Sequence, residues 1–277
     1  MVTTPAWKQR HAPSSVDYLI REPANAYHGK RGEYLSSHRL AEFRKCPLLY
    51  RQRQLGFIKD EDRPAYLLGR AAHTLILEGR ERFDEEYGVG GPINPKTRLP
   101  YNQGTKAWAE WEKAQGRTVL TDDQFELISN LSASVHAHPV AAPLLRQGVP
   151  EGVVRSEYRG VPSQIRMDWF DPETGITDLK TCDDLTWFET DARRFGYIHQ
   201  LAFYRSVLAQ VSGELVAAHF IAVEKKPPFR TGVWKVQPDV LAIAQQDNEA
   251  AIDRLKRCQE SASWPTGYEE LRVYDHV

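Results

Sequence analysis

The chain has 277 residues, 41% of them hydrophobic, which is enough to bury the core of one large domain or two small ones. Lysine and arginine total 36 against 37 aspartates and glutamates, which excludes a protein that binds nucleic acid through an overall basic charge. No apolar stretch approaches the ~20 residues of a membrane-spanning helix, and the chain does not start with the apolar run of a signal peptide. We therefore expect a cytoplasmic protein with no membrane partner.

The three cysteines lie far apart in the sequence. Cys46, Cys182 and Cys258 include no Cys-x-x-Cys pair and do not make an even-numbered framework of the secreted type. We therefore expect neither disulfide bonds nor a metal cluster held by cysteines.

The first 33 residues differ from the rest of the chain because they are polar, lack sustained periodicity and contain Pro5, Pro13 and Pro23. This composition predicts a poorly ordered arm over residues 1–33, followed by a single domain over 34–277. Apolar spacing then predicts four helices, at 37–50 with an interruption at Pro47, 66–78, 106–114 and 121–137. Between them, the Gly-, Pro- and Asn-rich stretch 88–103 predicts a surface loop.

The centre of the chain changes to short β-favourable segments. Residues 152–158, 161–170 and 175–180 are separated by an Arg-Gly and an Asp-Pro-Glu-Thr-Gly turn, which predicts a three-stranded meander. A helix at 190–210, strands at 215–223 and 232–236, and a helix at 238–260 follow. Strands grouped around one central helix indicate an α/β fold with a mixed sheet flanked by helices.

Two acidic strands of this meander carry the candidate chemistry. In Ile176-Thr-Asp-Leu-Lys180, the period of two places Asp178 and Lys180 on one face, while Leu179 points to the other. Asp168 lies near the end of the preceding strand, and a five-residue turn would bring it beside Asp178. Two neighbouring carboxylates repel unless a cation separates them, and hard oxygen ligands suit Mg²⁺ or Mn²⁺.

An isolated Asp-x-Lys is more often a surface ion pair than a catalytic site. Here a helix follows it, in which Gln200 and Tyr204 share one face at i,i+4, with Tyr197 nearby. An amide and two phenols could then point to the place where the carboxylates and the lysine meet.

With these signals in this order, the chain resembles the PD-(D/E)XK nuclease superfamily. Within that superfamily it resembles the branch of RecB-type and RecE-type (exonuclease VIII-like) recombination exonucleases. Two earlier segments support the likeness: the Cys-Pro and Tyr of Phe43-Arg-Lys-Cys-Pro-Leu-Leu-Tyr50, and Gly69-Arg-Ala-Ala-His73. Met167 stands where the superfamily pattern usually has proline before the first aspartate.

The resemblance implies roles for individual residues. His73, Asp168 and Asp178 would be metal ligands, the Leu179 carbonyl a possible fourth, and Lys180 the catalytic lysine. Gln200 and Tyr204 would orient the DNA or Lys180. A lone histidine on a helix is more often a hydrogen-bonded core residue, and it is the position of His73 among the other motifs that favours the ligand role.

Weaker candidates have alternatives that stay open. Glu157, on the first meander strand, could assist the metal site or be an ordinary surface glutamate. Arg166 shares the strand face of Asp168, so it could contact the scissile phosphate or pair with that carboxylate. Basic residues at Arg44, Arg193 and Arg194 are candidate DNA contacts or solvated surface charges.

The resemblance implies a phage-type, Mg²⁺-dependent exonuclease that degrades one strand of linear double-stranded DNA 5′ to 3′. Its implied partners are DNA ends, a single-strand annealing recombinase and further copies of itself in a trimer or tetramer. Two alternatives remain: a structure-specific or defence endonuclease on the same fold, and a catalytically silent DNA-binding scaffold for a recombinase.

Overall fold

A computed structural model of the protein describes residues 16–58 and 64–274. The elements of the described part are, in chain order, α1 (Ala24–Gly29), α2 (Ser37–Lys45), α3 (Pro47–Gln54), α4 (Pro64–His73), a π-helical turn (Thr74–Glu78), α5 (Gly79–Glu86), β1 (Tyr87–Val89), α6 (Lys106–Gln115), β2 (Thr118–Leu120), α7 (Asp122–Ala137), α8 (Ala141–Leu144), β3 (Val149–Tyr158), β4 (Val161–Asp171), β5 (Gly175–Cys182), a 3₁₀ turn (Leu185–Trp187), α9 (Phe188–Arg194), α10 (Tyr197–Ser212), β6 (Ala218–Glu224), β7 (Thr231–Lys235) and α11 (Pro238–Ser261). None of these helices is long and apolar enough to cross a membrane.

The five longer strands form one mixed sheet in the order β3-β4-β5-β6-β7. The meander β3-β4-β5 is antiparallel, β5 and β6 are parallel, and β6 and β7 are antiparallel. Because a parallel pair needs a long crossover, the chain between β5 and β6 contains both α9 and α10. The predicted α/β fold with a central mixed sheet is confirmed.

Helices cover both faces of the sheet. On one face, α2, α10 and α11 pack on a cluster that includes Phe170, Ile176 and Phe220. On the other face, α4, the π-helical turn and α7 pack on a cluster that includes Leu179 and Ile221. The alternation Phe220–Ile221 along β6 shows the period of two that sends neighbouring side chains to opposite cores.

Capping residues explain where several predicted helices begin. The Ser36 hydroxyl accepts a hydrogen bond from Arg39 N at the start of α2, and Pro47 occupies the first turn of α3. Thr121 and Gln124 form a reciprocal capping box at the start of α7. The helix predicted over 37–50 with an interruption at Pro47, and the one predicted from Thr121, are confirmed.

Two long helices differ from the prediction. The helix expected over 190–210 is divided into α9 and α10 at Gly196, whose φ of 73° is a left-handed conformation that suits glycine. The helix expected over 66–78 does reach Gly79, but the chain resumes a helix there as α5. In both cases a glycine turns the chain without ending the helical region.

Part of the expected N-terminal arm packs on the sheet. Residues 1–15 lie outside the described residues, but Ile20 exchanges two backbone hydrogen bonds with Val153 of β3. Further on, α1 buries Tyr27, and Leu35 forms a bridge to Ser163 of β4. The packed structure therefore begins before Tyr34, because contacts distant in sequence fix residues that have no periodicity of their own.

The turn between β4 and β5 depends on Gly175. Its φ is 93°, and a Cβ atom built there would lie 2.1 Å from the carbonyl oxygen of Ala217. That oxygen accepts a hydrogen bond from Ile176 N at 2.9 Å, so it cannot move away without breaking the contact between β5 and the segment before β6.

We expect Gly175→Ala to lower the free energy of unfolding by about 3 kcal/mol, because it adds a backbone clash to conformational strain. Gly213→Ala is the matched control: Gly213 also has a positive φ, 77°, but a Cβ atom there meets nothing within 4 Å. Strain alone should cost the control about 1 kcal/mol. Urea denaturation measures both, and equal losses would contradict the role given to Ala217.

Candidate metal centre and active site

The centre lies where β4 and β5 stop pairing. Their register runs from Asp171↔Gly175 to Trp169↔Thr177, so Asp168 and Asp178 would form the next pair. Instead, the Asp168 carboxylate accepts a hydrogen bond from the backbone N–H of Leu179 at 2.8 Å. The Asp168 side chain thus takes the place of a backbone hydrogen-bond partner, and β4 and β5 separate where Asp168 and Asp178 lie.

Asp178 and Lys180 lie on the same face of β5, as predicted. The Asp178 carboxylate is fully buried and forms an ion pair with the Lys180 ammonium. Burial raises the pKa of Asp178 to about 6, although Lys180 acts to lower it. Burial lowers the pKa of Lys180, but the carboxylates of Asp178 and Asp168 outweigh it, so that the pKa of Lys180 lies above its ordinary value. The lysine therefore presents a positive charge.

Helix α10 supplies the predicted amide and phenols. Gln200 Nε2 donates to Asp178 Oδ1 at 3.1 Å and to the Tyr204 hydroxyl at 3.0 Å. Gln200 Oε1 accepts a hydrogen bond from Lys180 Nζ at 3.3 Å. The Lys180 ammonium also lies 4.7 Å from the centre of the Tyr197 ring. Gln200 therefore fixes both members of the Asp178–Lys180 pair.

His73 approaches Asp168 from the end of α4. Its Nδ1 lies 3.6 Å from Asp168 Oδ2, within a half-buried environment. Burial and the Lys180 charge lower the pKa of His73 to about 4, against the opposing effect of a hydrogen bond to the Leu179 backbone. A neutral imidazole is the form that binds metal ions.

A third carboxylate joins this group. Ligand atoms of His73, Glu151 and Asp168 all lie within 4.8 Å of one another. Burial and the neighbouring Asp168 raise the pKa of Glu151, while Arg166 acts to lower it. Carboxylates brought so close favour a cation between them, and two carboxylates with one imidazole fit a divalent ion such as Mg²⁺ or Mn²⁺.

Glu151 was not among the residues predicted from the sequence. Arg159 and Gly160 both have positive φ, at 54° and 73°, and form the two-residue turn between β3 and β4. This turn sets a register in which Gly152 pairs with Met167, so Glu151 stands opposite Asp168. Counting back from the Arg-Gly turn would have found it.

Two cavities meet at this centre. The larger, about 1070 Å³, is lined by His73, Glu151 and Asp168. The smaller, about 580 Å³, is lined by Gln200 and Tyr197, and Tyr204 lines both. The carboxylate–imidazole group and Gln200, which holds Lys180, therefore lie on adjoining cavities.

The weaker candidates fall in different places. Glu157 is exposed near the hairpin turn, about 20 Å along β3 from Glu151 by strand rise, so it does not reach the centre. Arg166 lines the larger cavity, where its Nε lies 2.7 Å from Glu151 Oε2 rather than pairing with Asp168. Arg44 lines the smaller cavity and donates to Asn248 Oδ1 at 3.5 Å.

Arg193 and Arg194 are exposed on α9. Neither lines the two cavities at the centre, although Arg194 borders a smaller one beside Asp183 and Trp187. Their predicted DNA contact therefore has no support from the position of the centre.

A mixed sheet whose diverging strands carry Asp168, Asp178 and Lys180, followed by a helix with Gln200, is the arrangement of a PDDEXK-like nuclease domain. The sequence profile of the family described as a PDDEXK-like domain of unknown function, DUF3799, matches residues 36–276. The chain belongs to this family.

The fold is also similar to a solved structure from Eubacterium rectale, described as a "putative exonuclease". The two share 17% sequence identity at a TM-score of 0.66, over 93% of this chain and 97% of that one. At this identity the likeness shows the fold alone. A search of curated proteins finds no match.

We expect Glu151→Gln to weaken Mn²⁺ binding by at least about tenfold, because an amide oxygen replaces an anionic ligand. Glu157→Gln is the matched control, since it makes the same change on the same strand away from the centre and should leave affinity unchanged. Isothermal titration calorimetry with Mn²⁺ measures both, and equal affinities for wild type and Glu151→Gln would show that Glu151 is not a ligand.

Proposed function

We propose that this protein is a Mg²⁺-dependent deoxyribonuclease that degrades one strand of linear double-stranded DNA from its end. The observation that carries the proposal is the meeting of His73, Glu151 and Asp168 with the Asp178–Lys180 pair. This combination places a candidate divalent-ion site close to a fixed ammonium, since the Lys180 charge acts on both His73 and Asp168. Phosphodiester hydrolysis needs both kinds of group.

A divalent ion bound by His73, Glu151 and Asp168 would neutralise phosphate charge and polarise the phosphorus–oxygen bonds, and Mn²⁺ should substitute for Mg²⁺. Asp178 is predicted as a metal ligand from the sequence, but its two carboxylate oxygens contact Gln200 and Lys180, so in this proposal it acts mainly by holding Lys180 in the charged state. The Lys180 ammonium can donate hydrogen bonds to the attacking water or to a phosphate oxygen. Gln200, itself held by Tyr204, prevents the ammonium from turning away.

The finer parts of the proposal rest on family resemblance. They are action on DNA ends, a 5′ to 3′ direction, an annealing protein that receives the exposed strand, and assembly as a trimer or tetramer. The Eubacterium rectale protein of similar fold is itself named as an exonuclease, which is in keeping with this part of the proposal. The retained Lys180–Asp178 pair favours an active enzyme over a silent scaffold, since a scaffold would not need a buried ammonium beside the acidic group.

Digestion of end-labelled linear duplex beside a closed circular duplex, with and without Mg²⁺, tests this function. We expect Mg²⁺-dependent loss of the linear DNA, early release of a 5′ label, late release of a 3′ label, and an intact circle. Lys180→Met should slow digestion by at least about 100-fold, because a fixed charge at the reacting phosphate is lost.

Lys235→Met is the matched control, because Lys235 is exposed at the end of β7, where it pairs with His219 and with no residue of the centre. It should digest DNA at the wild-type rate. Cleavage of the circle as fast as the linear duplex would instead indicate an endonuclease. DNA binding without any Mg²⁺-dependent product would indicate the scaffold.

A further inference from the structure

One carboxylate at the centre lies beside both Arg166 and the candidate metal position. Glu151 Oε2 lies 2.7 Å from Arg166 Nε, and both side chains are mostly buried, with exposed fractions of 16% and 21%. The same carboxylate lies within 4.8 Å of the ligand atoms of His73 and Asp168. A metal ion bound by these three residues and the Arg166 guanidinium would therefore compete for Glu151.

The strand geometry brings the two cation positions together. Arg166 lies two residues before Asp168 on β4, so both side chains leave the same face. Glu151 stands opposite Asp168 on β3. A doubly charged ion beside Asp168 would repel the guanidinium at short range, and partly buried charges interact strongly because water screens them little.

The charge of the larger cavity also depends on the metal. Its described lining includes four arginines and four carboxylates, among them Arg166, Glu151 and Asp168. These formal charges balance. A divalent ion would make the cavity positive and would leave Arg166 without its present carboxylate partner.

We propose that Arg166 is a phosphate-binding residue. In the metal-free protein it forms an ion pair with Glu151, and it is released when the Glu151 carboxylate binds the metal ion. The released guanidinium would then bind a DNA phosphate in the larger cavity. This inference rests on the proposed function, because it takes the substrate to be DNA. Metal and DNA would bind cooperatively, and each would raise the affinity of the other by the same factor.

Metal binding to the DNA-free protein tests the competition directly. Arg166→Met should bind Mn²⁺ about tenfold more tightly than wild type in isothermal titration calorimetry, because the ion no longer displaces a guanidinium. Arg257→Met is the matched control, since Arg257 is exposed on α11 and lines neither cavity at the centre. Unchanged or weaker Mn²⁺ binding by Arg166→Met would overturn the competition.

DNA binding tests the release, with Ca²⁺ as the probe ion and a short linear duplex whose binding is followed by fluorescence anisotropy. Arg166→Met should lose about tenfold affinity in Ca²⁺ and almost none in EDTA. Glu151→Ala should bind DNA about tenfold more tightly than wild type in EDTA, with little further gain from Ca²⁺. Glu157→Ala is its control and should behave as wild type.

Equal losses for Arg166→Met in EDTA and in Ca²⁺ would show that Arg166 always faces the substrate, and would overturn the release. Should Glu151→Ala not fold, the two Arg166→Met measurements still decide the question. Wild-type digestion of linear duplex in Mg²⁺ separates the two proposals. A protein that digests no DNA yet shows the Mn²⁺ competition would overturn the proposed function and leave the ion exchange standing.

Discussion

The parting of β4 and β5 beyond Trp169 and Thr177 is the constraint on which the functional centre depends. In a regular antiparallel pair, the next backbone groups would bond to each other and close the space between the strands. Here the Asp168 carboxylate takes the Leu179 N–H instead. A buried amide without a partner would cost about 1–3 kcal/mol, so the side chain that opens the sheet also keeps the opening stable.

The same parting connects the two faces of the sheet. Leu179 packs in the core beneath α4 and α7, while Asp178 and Lys180 point towards α10 on the other side. His73 reaches the opening from α4 and interacts with both Asp168 and the Leu179 backbone. Residues from opposite layers can meet only where the sheet between them is interrupted. The centre therefore requires that β4 and β5 stop pairing at this place in the sheet.

Local patterns predicted most of what lies on regular elements. The period of two placed Asp178 and Lys180 on one face, and the i,i+4 spacing placed Gln200 beside Tyr204; the structure joins all four through hydrogen bonds. These relations depend only on the geometry of one strand or one helix. That this strand and this helix lie side by side was expected only from the family resemblance, because spacing within one element does not show which other element packs against it.

What the sequence did not predict depends on backbone conformation or distant contacts. Gly196 divides a helix whose apolar pattern continues across the break. The segment 16–33 has no period of its own and is held by a bridge from Ile20 to Val153, and Leu35 just after it bridges to Ser163. Glu151 was missed because the predicted strand began at Gly152, whereas the observed strand starts at Val149 and its register places Glu151 opposite Asp168.

The position of Glu151 depends on the pairing register of β3 and β4 even though it lies far from the turn that sets it. Its φ of 54° is a left-handed conformation inside a strand, which costs about 1 kcal/mol or more for a residue with a side chain. Glycine would relieve the strain but would remove the carboxylate from the metal group. Because the turn at Arg159 and Gly160 fixes which residue stands opposite Asp168, a shift of one residue there would send Glu151 to the other face. The hairpin turn, roughly 25 Å from Glu151 by strand rise, thus determines which residue joins His73 and Asp168 in the metal group.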